Sequence, residues 1–243
     1  MVHIIGHRGG RNLWPENSLS GFRKLAQMPV EGVEFDVHLT HAGELLVIHD
    51  PTLDRTTDRS GPVAGLDPGE HRNVMLKDSD NDAIPTLEEV FAVFKNTSLE
   101  LHIELKADTE ASAYRGLEAK AAELIDRFGL ADRSILTSFY PDVLQTIKEV
   151  APDIRTLSSF DRKSVERLGL AAGLRKMMEL SDIVAVEKSL LAADWDEITA
   201  LIPLDRLGAW VPNHNADLAY WLAKPIRQIT TDRPDLALDV RGA

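Results

Sequence analysis

Short apolar, β-branched runs recur along this chain at residues 3–6, 32–38, 45–49, 99–105, 133–138, 154–159, 182–187, 207–212 and 228–231. Amphipathic helical patterns fill most of the gaps, as in the stretch from Glu118 to Asp126. Strands alternating with helices predict a parallel sheet with helical crossovers. At 243 residues with ordinary apolar content, the chain fits an α/β fold of the (β/α)8 TIM-barrel type, folded as one domain over residues 1–243. Nine runs are one too many for an eightfold barrel. The connection between 32–38 and 45–49 accounts for the excess. Thr40 to Glu44 is far shorter than the dozen or so residues that a parallel crossover needs. These two runs therefore form an antiparallel hairpin that extends the barrel after its second strand. The return arm, 45–49, brings His49 back level with Glu34 and Asp36.

One stretch breaks the alternation. Residues 51–84 are rich in Asp, Gly, Pro, Arg and Thr without a sustained period, and read as an insertion at the C-terminal mouth of the barrel. A loop of that length usually serves function or is disordered. Helical patterning restarts at Pro85-Thr86-Leu87-Glu88-Glu89, with Thr86 as N-cap. The tail after Pro234 reads as frayed.

Composition narrows the chemistry. A net charge of −12 argues against nucleic acid, whose phosphates reward clustered Lys and Arg. The absence of cysteine excludes disulfides, thiolate metal sites and cysteine nucleophiles. No apolar run approaches the roughly 20 residues that span a bilayer, so no stable membrane insertion is expected. Val2-His3-Ile4-Ile5 follows the first residue with no signal-peptide pattern, and a cytoplasmic location is the expectation. A homo-oligomer is left open.

Four clusters close apolar runs: His7-Arg8-Gly9, Glu34-Phe35-Asp36, His49-Asp50 and Glu104-Leu105-Lys106. Strand ends at one mouth are where a barrel of this type keeps its chemistry. Residues two apart on a strand share a face, so Glu34 with Asp36, and Glu104 with Lys106, point into the barrel. Three converging carboxylates are costly unless a cation compensates. An all-oxygen set favours Mg²⁺ or Ca²⁺, with Glu34, Asp36 and Glu104 as metal ligands. An isolated Glu-x-Asp would more often be a surface patch; its place within an apolar strand favours the metal.

His7 and His49 are the acid/base candidates: an unperturbed imidazole changes charge near neutrality, so one can take a proton while the other gives one. Arg8 offers a planar fork for phosphate oxygens and Lys106 a point charge. Trp210 ends a later strand, where it either forms an apolar wall for the substrate or packs. Together these are parts for cation-assisted phosphodiester hydrolysis.

Other residues carry plainer readings. Asn17 caps the helix that starts near Ser18, and Asp50 orients His49. His3 and His102 share the inward parity but sit deeper, as hydrogen-bonded core residues. His38, His41, His71 and His214 fall in the hairpin or in loops, and Glu187 ends a strand where it either faces the pocket or packs. The glycines around His7 lack dinucleotide spacing and no Walker lysine exists, so a nucleotide cofactor has no support.

These residues resemble the glycerophosphodiester phosphodiesterase family. His7-Arg8-Gly9-Gly10 with Pro15-Glu16-Asn17 is similar to its first signature. Glu34-Phe35-Asp36 followed by His49-Asp50-Pro51-Thr52-Leu53-Asp54-Arg55-Thr56-Thr57 is similar to its second block. Pro85-Thr86-Leu87-Glu88-Glu89, Ile103-Glu104-Leu105-Lys106, Ser138-Phe139 and Thr231-Asp232-Arg233-Pro234 extend the likeness along nearly the whole chain. The resemblance implies a barrel, a divalent cation and hydrolysis of a small-molecule glycerophosphodiester to glycerol 3-phosphate and an alcohol. It also implies a two-step course through a cyclic phosphate, a route favoured here because no Cys exists and no Ser joins the clusters beside a histidine. Two departures from the family pattern stand out: Ser18 replaces a common Thr, and Val211-Pro212-Asn213 replaces Thr-Val-Asn after Trp210. The alternatives are a phosphodiesterase for lysophospholipids or other head groups, and a non-catalytic barrel used as a binding module.

Overall fold

The computed structural model describes residues 1–242. Its strands are β1 (His3–His7), β2 (Gly32–Leu39), β3 (Leu45–Val47), β4 (Glu100–Leu105), β5 (Ser134–Ser138), β6 (Arg155–Phe160), β7 (Ile183–Glu187), β8 (Leu207–Trp210) and β9 (Gln228–Thr231). All but β3 run parallel to their barrel neighbours, and pairing of β1 with both β2 and β9 closes the sheet into an eight-stranded TIM barrel. Helices cover the outside: α1 (Leu19–Leu25), α2 (Leu87–Phe94), α3 (Leu117–Phe128), α4 (Pro141–Val150), α5 (Arg162–Leu168), α6 (Leu170–Leu180), α7 (Lys188–Ala193), α8 (Trp195–Leu201), α9 (Asn215–Leu222) and α10 (Pro234–Gly242).

The extra strand is the expected return arm. Val37, His38 and Leu39 pair antiparallel with Val47, Leu46 and Leu45. The Ile48 N–H then donates to the Asp36 carbonyl at 3.1 Å, which sets His49 beside the upper end of β2. Regular pairing stops at Val47, two residues short of the apolar run. At β8 the strand ends at Trp210 because Pro212 has no N–H to offer a ladder. The segment after Pro234, expected to fray, instead forms α10; Ala237 is fully buried and Arg241 grips Glu31 at 2.7 and 2.8 Å.

Strand alternation sorts the two faces. Val33, Phe35 and Val37 of β2, with Leu101, Ile103 and Leu105 of β4, join the apolar layer beneath the helices. Inside the barrel, Ile135, Leu157, Ile183 and Ala185 from β5, β6 and β7 pack with Trp210. The β1, β2 and β4 side of the interior is polar by contrast, with Glu34, His102 and Glu104 in it. At the floor, Glu100 accepts from Arg155 at 2.9 Å and from Arg227 at 2.8 and 2.9 Å, tying β4 to β6 and to the start of β9.

The insertion carries its own small core. Two short 3₁₀ turns, Val63–Gly65 and Glu70–Asn73, are the helical pieces within it. Leu53, Val63, Leu66, Val74, Leu76 and Ile84 pack with Leu46 and Ile48 of the return arm in a cluster distinct from the main layer. Buried His71 fastens it further, with Nδ1 2.9 Å from the Ile84 carbonyl. Apolar residues scattered among turn residues have no period, which is why the sequence pattern missed this order. Leu53→Ala should cost about 2–5 kcal/mol of local stability. Hydrogen exchange would then rise across 51–84 while the barrel strands keep their protection. Unchanged exchange in the segment would show that the cluster does not hold it.

Candidate active site

The turn after β1 makes the first part of the site. Arg8, Gly9 and Gly10 have φ of 50°, 77° and 90°, three consecutive left-handed residues. Glycine adopts this without penalty; Arg8 does so at a cost typical of strained functional positions. The strained turn aims the Arg8 backbone N–H at Glu34 Oε2, 3.1 Å away, and its guanidinium at Asp36 Oδ2 (3.3 Å) and Glu16 Oε1 (3.2 Å).

Glu34, Asp36 and Glu104 converge: each offers an oxygen, and these lie within 4.8 Å of one another. Burial, then the charges of Asp36 and Glu104, push the Glu34 carboxyl well above its usual range. Burial would raise Asp36 as well, but Lys106 and Arg8 hold it well below. Lys106 Nζ lies 2.6 Å from Glu104 Oε1 and 3.3 Å from Asp36 Oδ1. Burial opposes its charge, yet Glu104 and Asp36 raise its pKa. Even so, Glu34 Oε1 and Asp36 Oδ1 are buried with no hydrogen-bond partner. Buried polar atoms are nearly always satisfied. Two buried carboxylate oxygens without a hydrogen bond, both on residues of a three-acid cluster, fit a hard cation with oxygen ligands.

Each imidazole is fixed by its own carboxylate. His7 Nδ1 lies 2.5 Å from Asp232 Oδ1, and His49 Nδ1 lies 2.6 Å from Asp50 Oδ1. Such a bond sets ring orientation and leaves Nε2 free for chemistry. His7 Nε2 faces Glu34 at 3.7 Å. Burial lowers the pKa of His7 against the pull of Asp232. Burial would raise Asp232, but bonding to His7 and the charge of Arg11 hold it at about 2. Asp50 is likewise held at about 2 against burial, by Arg55 and His49. Burial pushes His38 down to about 4.

All of this opens on a cavity of about 300 Å³ at the C-terminal mouth. His7, Arg8, Glu34, His49, Glu104 and Lys106 form one wall; Phe139, Leu157, Ala185 and Trp210 form the other. Phe139 and Trp210 meet edge to face at 5.7 Å, and Trp210 Nε1 donates to the Ala185 carbonyl at 3.1 Å. Asp36 sits just behind the lining, 1% exposed.

Some sequence expectations need correction. Ser18, not Asn17, caps α1, its hydroxyl accepting from Gly21 N–H at 3.0 Å. Asn17, at φ 55°, instead donates from Nδ2 to Asp36 Oδ2 at 2.9 Å. Glu187 does not face the cavity but accepts from the Ser189 and Leu190 N–H groups as the cap of α7. His3 and His102 approach Glu100 only at 3.7 and 3.6 Å, and His102 Nε2 has no hydrogen-bond partner. Asp232, Arg11, Asn213 and Phe139 were not singled out as site residues. Asp232 follows an apolar strand, as the other clusters do, and that was the available signal. The Val211-Pro212-Asn213 departure leaves its support intact: Asn213 Nδ2 donates to Asp232 Oδ2 at 2.7 Å, and its Oδ1 accepts from the Asp232 N–H.

A family model described as the glycerophosphoryl diester phosphodiesterase family matches residues 7–202. A glycerophosphodiester phosphodiesterase of Caldanaerobacter subterraneus subsp. tengcongensis is 34% identical over 157 residues, which cover 63% of this chain and 64% of that protein. One from Bacillus altitudinis is 34% identical over 160 residues, with 63% and 64% covered. The aligned region thus spans just under two thirds of these relatives. Among solved structures, a family protein from Agrobacterium tumefaciens superposes with a TM-score of 0.92 at 25% identity, covering 100% of this chain and 98% of that one. An Oleispira antarctica phosphodiesterase in complex with the product sn-glycerol-3-phosphate superposes at 0.83 and 22% identity, covering 99% and 97%. A barrel whose strand ends carry two carboxylate-held imidazoles over an acidic cluster, matched by the family model over most of its length, belongs to the glycerophosphoryl diester phosphodiesterase family.

Proposed function

We propose that this protein hydrolyses glycerophosphodiesters to glycerol 3-phosphate and an alcohol, with His7 and His49 as the acid/base pair. The observation that carries this is the pairing of two imidazoles, each held at Nδ1 by a carboxylate, on one cavity wall with Arg8 and Lys106. A cavity of about 300 Å³ suits a small diester better than a lysophospholipid, whose acyl chain needs an apolar groove. A binding module would have no use for two oriented proton carriers.

Glu34, Asp36 and Glu104 would hold Mg²⁺ or Ca²⁺. Bound there, the cation would lower the pKa of a substrate hydroxyl and offset charge on the phosphoryl oxygens. Charge balance then explains the two basic residues. Arg8 and Lys106 lie against Asp36 and Glu104 in this structure; a divalent cation on those carboxylates would loosen these contacts and leave both basic groups to the phosphate, with Glu16 still holding Arg8 in place. Three carboxylates, a divalent cation, Arg8 and Lys106 sum to one positive charge, which the single negative charge of a phosphodiester cancels. Trp210 and Phe139 would pack against the carbon skeleton and keep bulk water from the phosphate.

Mixing the protein with glycerophosphocholine, glycerophosphoethanolamine, glycerophosphoglycerol and glycerophosphoinositol in turn, with Mg²⁺ or Ca²⁺ present, should release glycerol 3-phosphate from at least one. No release from any would overturn the reading. The cation has a test of its own. At about a hundred times its dissociation constant, Mg²⁺ or Ca²⁺ should raise Tm by roughly 5–10 °C. Glu34→Gln should abolish that shift. A Tm indifferent to both ions would remove the cation from the site.

A further inference from the structure

His49 sits just past the end of β3, where the return arm has left the ladder. Among the described residues no backbone N–H reaches its carbonyl; the bond it accepts comes from a side chain, His38 Nε2 at 3.0 Å. The other ring nitrogen of His38, Nδ1, lies 2.9 Å from the Tyr114 hydroxyl, and the two rings meet edge to face at 5.6 Å and 88°. His38 is fully buried in β2, and Tyr114 comes from the loop between β4 and α3.

The direction of this chain follows from donor and acceptor rules. A carbonyl only accepts, so His38 Nε2 must carry the hydrogen. The Tyr114 hydroxyl can donate to Nδ1, an arrangement that keeps the hydrogen on Nε2. Tyr114 is suited to that task, since burial and the charge of Asp108 push its pKa up to about 12 and keep it protonated. Tyr114 thereby selects the one tautomer of His38 that can hold the His49 carbonyl. Asp50 fixes the His49 ring from the side-chain end, while His38 fixes the same residue from its backbone.

We propose that His38 and Tyr114 are positioning residues for His49, acting as an ordered hydrogen-bond chain from the loop after β4 to the backbone of the acid/base residue. This rests on the acid/base role of His49 proposed above. Losing the chain would leave a carbonyl unsatisfied and free residues 48–50 to shift. A displacement of about 1 Å at a proton-transferring group can cost about a hundredfold in rate.

The test compares Tyr114→Phe, His38→Met, His38→Gln and His49→Ala in the full chain, with Mg²⁺ present and a turned-over glycerophosphodiester as substrate. Tyr114→Phe keeps the ring packing and removes the donor; His38→Met fills the space and removes the bond. Each should lower kcat by about ten- to a hundredfold with KM changed less than about threefold. The Mg²⁺-induced rise in Tm should stay as in the wild type. His38→Gln places an amide N–H where Nε2 was, and should recover most of kcat. Tyr114→Phe added to His38→Gln should cost nothing further, because an amide has no tautomer to select. Wild-type kcat in both Tyr114→Phe and His38→Met, with His49→Ala inactive, would overturn the inference and leave the proposed function standing. Rate losses that track loss of the Mg²⁺-induced shift would overturn it too, by showing that His38 acts through Asp36. An active His49→Ala would instead overturn the acid/base reading itself. If His38→Met fails to fold, Tyr114→Phe decides alone, since Tyr114 is only partly buried on a loop.

Discussion

His7→Ala and His49→Ala should each lower kcat by about 10²–10⁴-fold while the barrel stays folded. Retained folding is expected because both rings lie at the mouth, 16% and 29% exposed, rather than in a packed layer. The double variant should fall little further than the worse single one, because acid and base act in the same transition state and their losses do not add. Asp232→Asn gives a graded control. It keeps the shape but weakens the bond that orients His7, so kcat should fall by about ten- to a hundredfold with KM nearly unchanged. Steady-state kinetics with circular dichroism on each variant check this. Near-wild-type turnover in His7→Ala would remove the acid/base pair from the mechanism.

The parts of the site that were legible in the sequence share one property: they sit two residues apart on an apolar strand, or at its end. Glu34 and Asp36 on β2, and Glu104 on β4 with Lys106 just past its end, needed only the alternation of a strand to be placed on the same face. The hairpin was legible because five residues cannot make a parallel crossover. Missed features depended on contacts between distant segments. Asp232 lies 225 positions from His7, Glu16 lies 39 from Arg55, and nothing local marks either pair. Asn17 was misread for a related reason. Its residue type suits a helix cap, but Ser18 takes that place and the left-handed turn sends Asn17 to Asp36. The core of the insertion escaped because its apolar residues meet through turns rather than through a period.

Which atom attacks phosphorus is the larger question, and one substrate analogue answers it. Hydroxyls of Thr137, Ser159 and Thr230 line the cavity, but among the described residues none is hydrogen-bonded to His7 or His49. A hydroxyl without a base is a poor nucleophile. The substrate brings a better one: a glycerophosphodiester carries a hydroxyl on the carbon next to the esterified one, at high effective concentration. In the proposed course one histidine takes the proton of that 2-hydroxyl as its oxygen bonds to phosphorus. The bond from phosphorus to the leaving alcohol breaks, and the other histidine supplies that alcohol's proton. The resulting cyclic phosphate is then opened by water with the histidine roles exchanged, giving glycerol 3-phosphate. A 2-deoxy glycerophosphodiester keeps the phosphate for Arg8 and Lys106 and the carbon chain for Trp210, so its inhibition constant should match the KM of the parent within a few-fold. Its turnover should fall by about 10³-fold or more, because the internal nucleophile is gone. Phosphorus NMR of the parent reaction under single-turnover conditions should show the cyclic ester rise and decay. Ordinary turnover of the 2-deoxy analogue, with no cyclic ester from the parent, would mean that water attacks directly and that one histidine serves as the base for that water instead.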